Sequence, residues 1–228
     1  MMEIVHFSSL TIIFPSSQLS HLHDPIIGAT AHLISMTFDD IHDSHSLILN
    51  SFQTPKHPYS QTTKMVNREE ALRLCVSLAR EALEAGDSPF GSVLVDADGA
   101  ILHKDRNRIV TGEAGNFQAD ATLHPELTLA RWAQLNLTPE ARASAVVYTS
   151  GEHCAMCAAA HAYVGLGRIV YVSSTAQYQS WMEEAKVEGG PVAALPINAV
   201  APHVQVEGPI PGLDLEVKAL HQQRWQRR

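Results

Sequence analysis

Basic residues are scarce in this sequence. Lysine and arginine number 16 against 24 aspartates and glutamates, so the formal net charge is −8. Proteins that bind nucleic acids without sequence preference need a basic surface to neutralise phosphates. The composition therefore weighs against that role, although it leaves room for a local basic patch. No apolar run approaches the roughly 18 residues that a membrane-spanning helix needs, so we expect no membrane segment.

Cysteine is also rare. The three cysteines are Cys75, Cys154 and Cys157, and an odd number in a chain of this size is not typical of a disulfide framework. Cys154 and Cys157 are spaced C-x-x-C, which in a reducing compartment indicates metal or redox chemistry. Cys75 lies in an apolar helical pattern, so we expect it in the core. We predict a cytoplasmic protein.

Residues 1–64 show no sustained hydrophobic period. This region holds seven of the 13 histidines and no arginine, and its apolar residues follow neither a helical nor a strand period. Acidic residues outnumber basic ones there, unlike in a transit peptide, and Glu3 stands where a secretory signal would carry positive charge. We therefore expect a disordered extension over residues 1–64 and one folded domain over residues 65–228.

Helices and strands alternate from Asn67 onward. Asn67 and Glu70 have the spacing of a capping box, and the apolar face that follows predicts a helix that stops at Gly86. Strands are predicted over residues 90–96, 100–103, 145–149 and 169–172, and further helices over residues 125–134, 155–164, 176–186 and 214–225. A hairpin followed by alternating helices and strands indicates an α/β sandwich with a mixed sheet.

Two short motifs contain the residues of greatest chemical interest. One is H-P-E at residues 124–126, and the other is C-A-M-C at residues 154–157. One imidazole and two thiolates are good zinc ligands. Three protein ligands leave a fourth position open for water, as in catalytic zinc sites. We therefore predict one Zn²⁺ bound by His124, Cys154 and Cys157.

Glu126 is the candidate proton carrier. Residues two apart do not face each other in a regular helix, so His124 and Glu126 can converge only at an irregular first turn, where Pro125 is favoured. A glutamate beside the metal that does not bind it can take a proton from water and pass it to a ring nitrogen and a leaving amine. The two motifs together match the pattern of zinc deaminases.

Neither motif is specific for zinc when it occurs alone. C-x-x-C could be a redox pair, and H-x-E occurs by chance on many surface helices. His153 and His161 flank the cysteines and could replace one of them as a ligand. The combination of both motifs, each at a predicted helix start, favours a zinc site.

Beyond these motifs, the chain resembles the zinc-dependent cytidine and deoxycytidylate deaminase superfamily, and is closest to guanine and other nucleobase deaminases. The resemblance covers about residues 66–186. It includes P-F-G-S-V-L-V at residues 89–95, similar to the family's P-F-G-A-V, and Y-T-S-G-E-H-C at residues 148–154, similar to Y-x-S-x-E-P-C. The resemblance implies a three-layer α/β sandwich around a mixed five-stranded sheet, usually in a homodimer.

The resemblance also implies an activity and a pocket. It indicates a hydrolase that releases ammonia from a nucleobase or a small heteroaromatic amine, with guanine ahead of cytosine and both ahead of adenosine in tRNA. Asn107 stands where the family has an asparagine that contacts the base. Phe90 and Gly91 correspond to positions beside the ring. The implied partner is therefore a small molecule rather than a nucleic acid.

Three positions beside the site depart from the family pattern. Pro125 replaces an alanine, His153 replaces a proline, and Gly151 stands where guanine deaminases often have cysteine. None of these departures removes a ligand or the glutamate, so activity is still expected. The substrate of this protein need not be one of the family's known substrates. Trp181 or Trp225 could close over the ring, although packing in the core or at a dimer interface is the simpler expectation.

Two other functions are compatible with the same motifs. A tRNA-specific adenosine deaminase would need a basic groove, but residues 65–228 carry 14 basic against 19 acidic residues. The dense basic cluster is Arg224, Arg227 and Arg228, which is typical of a solvated tail. A non-catalytic zinc-bound partner subunit would typically lack the glutamate, and Glu126 is present.

Overall fold

The computed structural model of this chain describes residues 2–7, 10–15 and 64–227. The chain divides into two units, Met1–Pro58 and Tyr59–Arg228. In the first unit, strands β1 (Met2–Phe7) and β2 (Leu10–Pro15) pair antiparallel. Most of residues 1–64 lies outside the described residues, so the predicted extension and its boundary stay predictions.

The second unit is built on a mixed sheet with the strand order β4-β3-β5-β6-β7. Its strands are β3 (Gly91–Val95), β4 (Ile101–Arg106), β5 (Val146–Gly151), β6 (Ile169–Ser173) and β7 (Val206–Glu207). Strand β3 pairs antiparallel with both β4 and β5, whereas β5, β6 and β7 are parallel. The prediction of a mixed five-stranded sheet is confirmed.

Helices cover both faces of this sheet. They are α1 (Arg68–Ala85), α2 (Pro125–Asn136), α3 (Pro139–Ser144), α4 (Ala155–Val164), α5 (Thr175–Glu184), α6 (Ile197–Val200) and α7 (Leu213–Gln226). One apolar cluster joins the sheet to α1, α5 and α7, and a second joins it to α2, α4 and α6. Val93 belongs to the first cluster and Leu94 to the second, because successive strand residues face opposite sides. The predicted three-layer sandwich is confirmed.

Local sequence explains where α1 begins and ends. The Asn67 side chain accepts a hydrogen bond from the Glu70 N–H at 3.0 Å, and the Glu70 carboxylate accepts one from the Asn67 N–H at 2.9 Å. Gly86 ends the helix with φ 96°, a left-handed conformation that glycine adopts without strain. Cys75 is buried in this helix, as predicted, and burial raises the pKa of its thiol.

The structure differs from the sequence prediction in its short and edge elements. Helices α3 and α6 and strand β7 were not predicted, and β7 has only two residues, too few to show a period. Strand β4 continues past the predicted His103 to Arg106, because its polar end still pairs with β3. Within the described residues, no helix combines the length and apolar character needed to cross a membrane.

Candidate active site

The two sequence motifs lie at the N-termini of two helices in the same layer. His124 is the N-cap residue of α2, and Cys154 is the N-cap residue of α4. Neither side chain makes a capping hydrogen bond, so the imidazole and the thiol remain available for other partners. Helices α2 and α4 pack through the same apolar cluster, which brings the motifs together.

The geometry of the three predicted ligands fits a zinc ion. His124 Nδ1 lies 3.7 Å from Cys154 Sγ and 3.6 Å from Cys157 Sγ. A tetrahedral zinc ion with Zn–S near 2.3 Å and Zn–N near 2.0 Å sets its nitrogen and sulfur ligands about 3.5 Å apart. Among the described residues, these three form the one group of histidine, cysteine and carboxylate side chains that could hold a metal.

The two cysteine thiols are electrostatically unequal. Hydrogen bonds from Cys157 and His124 lower the pKa of Cys154 to about 4 and outweigh the opposing effect of burial. The pKa of Cys157 is raised, first by its hydrogen bond to Cys154 and then by burial. The hydrogen bond between His124 and Cys154 raises the pKa of the His124 imidazole. A bound cation would stabilise both thiolates together, because metal ligands must be deprotonated.

Glu126 lies beside the ligand group without belonging to it. The Cys157 thiol donates to Glu126 Oε2 at 3.6 Å, and only 6% of the glutamate is exposed. His124 and Glu126 converge because His124 precedes the helix with an extended backbone (φ −84°, ψ 138°) and Pro125 opens the first turn. Burial raises the pKa of the Glu126 carboxyl, as a group that both accepts and donates protons requires.

The two histidines considered as alternative ligands are not part of the ligand group. His161 Nε2 donates to Gly167 O at 2.7 Å. His153 is buried, and neither ring nitrogen has a hydrogen-bond partner among the described residues. The two rings lie edge to face with centroids 5.5 Å apart. The prediction of His124, Cys154 and Cys157 as the ligand set is therefore the one that the geometry favours.

Asn107, the predicted base-contacting residue, is buried at the end of β4. Its N–H donates to Phe90 O at 2.9 Å, and its Oδ1 accepts from the N–H two residues on at 3.3 Å. The next residue, Arg108, donates its N–H to Leu123 O at 3.0 Å. Asn107 thus lies on a segment hydrogen-bonded to the residue that precedes His124.

Phe90 occupies space that Gly151 leaves free. A β-carbon at position 151 would lie 2.8 Å from Phe90 Cε1, so the aromatic ring packs directly against this glycine. On its other side, Phe90 packs against His221 and Tyr178, with ring centroids 4.9 and 5.8 Å away. Contact between Phe90 and a substrate stays a prediction.

Gly91 has a packing role that the sequence did not reveal. A β-carbon at this position would lie 2.4 Å from Leu78 Cβ and 2.7 Å from backbone atoms of α1, so only glycine allows β3 to approach the helix this closely. Its N–H donates to Ser150 Oγ at 3.1 Å. The predicted substrate contact of its backbone stays untested. Trp181 and Trp225 both pack against His221.

Sequence reasoning missed Asp87, which anchors the segment after Asn107. Its carboxylate is fully buried and accepts hydrogen bonds from the Val110 N–H at 2.6 Å and the Thr111 hydroxyl at 2.6 Å. It also pairs with Arg106 Nη1 at 2.8 Å. Burial opposes ionisation, but these bonds outweigh it and lower the pKa of Asp87. The signal available in the sequence was an aspartate immediately after a glycine helix stop.

Sequence reasoning also missed two hydroxyls beside Glu126. Ser92 on β3 and Thr149 on β5 are both fully buried and face each other in the strand register. Thr149 Oγ1 lies 3.3 Å from Glu126 Oε1, and Ser92 Oγ donates to Thr149 Oγ1 at 2.9 Å. The signal available in the sequence was weak: Ser92 is the one hydroxyl residue of β3, and Thr149 is followed by a second hydroxyl residue, Ser150, in β5. The pairing of the two strands is not visible in the sequence.

Comparison with known proteins assigns the chain to a family. The family model described as MafB19-like deaminase matches residues 66–200. The chain belongs to this family. The resemblance to zinc-dependent nucleobase deaminases, stated from the motifs, is thereby confirmed. The matched range contains the three candidate ligands, Glu126 and Asn107.

Individual relatives are similar over part of their length. The guanine deaminase of Bacillus subtilis (strain 168) is 38% identical over 93 residues, which are 40% of this chain and 55% of that protein. The tRNA-specific adenosine deaminase of Agrobacterium fabrum is 35% identical over 107 residues, 47% of this chain and 66% of that protein. The chain thus spans less than two thirds of either relative.

A solved structure of a guanine deaminase from Nitrosomonas europaea has the same fold. It superimposes with a TM-score of 0.54 over 73% of this chain and 89% of that chain, at 18% sequence identity. At this identity, the likeness extends to the fold only. It supports the three-layer architecture with the sheet between two helix layers.

Proposed function

We propose that this protein is a zinc-dependent hydrolytic deaminase of a free nucleobase or a small heteroaromatic amine, with guanine as the first candidate substrate. One observation carries the proposal: a buried glutamate lies directly beside a group of three zinc-type ligands without belonging to it. Glu126 Oε2 is 3.6 Å from Cys157 Sγ. The MafB19-like deaminase match supports the same chemistry.

His124, Cys154 and Cys157 would hold the Zn²⁺. When bound, it makes water acidic enough to act as a nucleophile near neutral pH. The ligand atoms lie within 4.8 Å of one another in this structure, so little rearrangement would be needed to bind the ion.

Glu126 moves the protons in this proposal. Water adds to the amine-bearing ring carbon and gives up a proton to the Glu126 carboxylate. The resulting carboxylic acid protonates the adjacent ring nitrogen. Glu126 then carries the proton of the newly added hydroxyl to the amine, which leaves as ammonia as the C–N bond breaks and the hydroxyl becomes a carbonyl. Burial of Glu126 and the raised pKa of its carboxyl suit a group that alternates between both protonation states.

The substrate ring would contact Asn107, Phe90 and Gly91. Asn107 offers an amide to the polar edge of the ring, and its segment is tied to the residue before His124. Phe90 is partly exposed and offers an apolar face, while the Gly91 backbone would supply a further contact. The net charge of −8 opposes a polynucleotide substrate, and a relative named guanine deaminase shares 38% identity.

A second candidate is deamination of adenosine in tRNA. The 35% identity to a tRNA-specific adenosine deaminase favours it. The acidic composition argues against it, because binding to RNA depends strongly on phosphate contacts. A non-catalytic partner subunit is a weaker candidate, since Glu126 is present and buried beside the ligands.

We also propose a homodimer that works in the cytoplasm. Two large apolar side chains on one helix layer are exposed, Leu135 on α2 at 83% and Tyr163 on α4 at 91%, and burial against a second copy would remove them from water. All three cysteines are free, which suits a reducing compartment. Light scattering coupled to gel filtration would measure the oligomeric state directly, and a monomeric mass would contradict the homodimer.

The test of the function is ammonia release from purified protein loaded with zinc. Guanine, cytosine, adenosine, a triazine and a tRNA anticodon stem-loop would be compared at equal concentrations. We expect turnover of guanine above cytosine and none of the stem-loop. Turnover of the stem-loop without activity on any free base would overturn the proposal in favour of the RNA substrate.

A further inference from the structure

We propose that the Thr149 hydroxyl is a positioning residue for Glu126 and that Ser92 supports it from the neighbouring strand. The inference rests on the proposed function, because it assigns a partner to the glutamate that moves protons. Thr149 is fully buried at the end of β5, with Oγ1 3.3 Å from Glu126 Oε1. Ser92, equally buried on β3, donates to Thr149 Oγ1 at 2.9 Å.

The direction of the hydrogen bonds can be followed from the donors available. The Ser92 hydroxyl donates a hydrogen bond to Thr149 Oγ1. The hydrogen of the Thr149 hydroxyl is therefore available for another acceptor. Two acceptors lie within reach: Glu126 Oε1 at 3.3 Å and Gly151 O at 3.1 Å. A carboxylate is the stronger acceptor, because bonds to charged groups are stronger than bonds between neutral groups. The Thr149 hydroxyl therefore donates to Glu126 Oε1 when the glutamate is in its carboxylate form.

This contact constrains the glutamate from one side. Oε2 of Glu126 faces the Cys157 thiol, and Oε1 faces Thr149. A glutamate side chain has three rotatable bonds, and a proton carrier works only when its oxygens are held within hydrogen-bond reach of the reacting atoms. Thr149 belongs to a central strand of the sheet, so it provides a rigid point from which to hold the carboxylate.

Packing alone does not require these two hydroxyls. The positions two residues away on the same face of each strand are apolar: Leu94 and Val147 are buried in the cluster that joins the sheet to α2. The Ser92 and Thr149 hydroxyls could hydrogen-bond to each other without contacting the glutamate. Removal of such a pair would change only the stability of the fold. The contact with Glu126 predicts in addition a specific loss of turnover.

The experiment compares four variants with the wild-type protein. T149V keeps the volume of the side chain but removes the hydroxyl, and T149S restores a hydroxyl. S92A/T149V also removes the Ser92 hydroxyl that T149V alone would leave without its acceptor. S173A is the matched control, because Ser173 is an equally buried hydroxyl on β6 that donates to Ser150 O at 2.9 Å and is not bonded to Glu126.

We expect T149V and S92A/T149V to keep their zinc content and KM while kcat falls roughly 10- to 100-fold. T149S should recover most of the lost kcat, and S173A should lose stability without losing kcat. In an E126Q background, T149V should cause no further decrease. A wild-type kcat in T149V, or an equal decrease with and without Glu126, would overturn the inference.

A crystal structure of T149V gives a readout that does not depend on turnover. We expect the Glu126 carboxylate to rotate away from the position it occupies beside Thr149, while His124, Cys154 and Cys157 stay in place. An unmoved carboxylate would overturn the inference. If wild-type protein released ammonia from no substrate, the proposed function would fail by itself, and the position of Glu126 in T149V would still decide the role of Thr149.

Discussion

The Nδ1 atom of His124 lies 3.6 Å from the Sγ atom of Cys157, although the two residues are 33 positions apart in the sequence. Packing between α2 and α4 creates this proximity, because both helices are held by the same apolar cluster on one face of the sheet. The fold itself therefore brings these candidate ligands together.

Metal binding should depend on each of the three ligands. We expect about one zinc per chain, and strong loss of zinc in Cys154→Ala and in Cys157→Ala, because two remaining ligands bind zinc far more weakly than three. Elemental analysis of dialysed protein measures the content. Cys75→Ala serves as the control, since Cys75 is buried in α1 outside the ligand group. Full zinc occupancy in either ligand variant would show that the assignment is wrong.

Glu126→Gln should fold, keep its zinc and lose nearly all turnover. The amide keeps the size of the side chain but cannot accept and return a proton, and general acid–base groups contribute roughly 10²- to 10⁴-fold to rate. Steady-state ammonia release and zinc content would be measured on the same samples. Glu188→Gln is the control, because Glu188 is an exposed glutamate. A near wild-type rate in Glu126→Gln would remove this residue from the mechanism.

Asp87→Asn should destabilise the protein by roughly 3–5 kcal/mol, because it leaves Arg106 without the partner of a largely buried ion pair. The pKa of Asp87 is lowered in the folded protein. Its contribution to the stability of the fold is therefore present above the unfolded pKa of about 3.9 and is lost as the pH falls through the folded pKa.

Urea unfolding at pH 7 and at pH 3 would measure this difference. We expect the free energies of unfolding of wild-type and Asp87→Asn protein to differ less at the lower pH. Asp98→Asn is the matched control, since Asp98 lies exposed in the turn after β3. A gap that does not change with pH would contradict the assignment of the effect to ionised Asp87.

His221 should make the protein less stable in mild acid. Burial among aromatic rings lowers the pKa of His221 to about 3, against about 6.5 in the unfolded chain. Between these values the unfolded state binds more protons, so stability from this residue is present above pH 6.5 and decreases as the pH falls towards 3. The slope is about 1.4 kcal/mol per pH unit.

His221→Leu should remove that part of the pH dependence. Chemical unfolding of both proteins between pH 7 and pH 4 gives the two curves, and the difference between them isolates His221 from other histidines. His203→Leu is the control, because His203 is exposed. Parallel curves for wild-type and His221→Leu protein would contradict the prediction.

Residues 1–64 should be dispensable for activity. A protein shortened to residues 59–228 corresponds to the second unit, and we expect it to fold and to release ammonia at the wild-type rate. Shortening to residues 65–228 removes in addition the Lys64 carbonyl that accepts from the Ile101 N–H at 3.2 Å, so it should be slightly less stable. Circular dichroism and activity would be measured, and an insoluble or inactive 59–228 protein would place the boundary elsewhere.

Elements and residue types that depend on local pattern could be predicted from the sequence. The capping box at Asn67 and the glycine stop at Gly86 fixed α1, because caps act within one turn of a helix. The spacing of the H-P-E and C-A-M-C motifs predicted the candidate ligand group that the structure brings together and the glutamate beside it, since zinc coordination restricts the residue types that can serve.

Tertiary structure alone decided which distant side chains meet. The register between β3 and β5 brings Ser92 to Thr149 and the pair to Glu126, and the close approach of α1 explains Gly91. Strand β7 is defined by its parallel pairing with β6, because two residues are too few to show a hydrophobic period in the sequence. These features arise from contacts between residues that are distant in the sequence, so no local pattern predicts them.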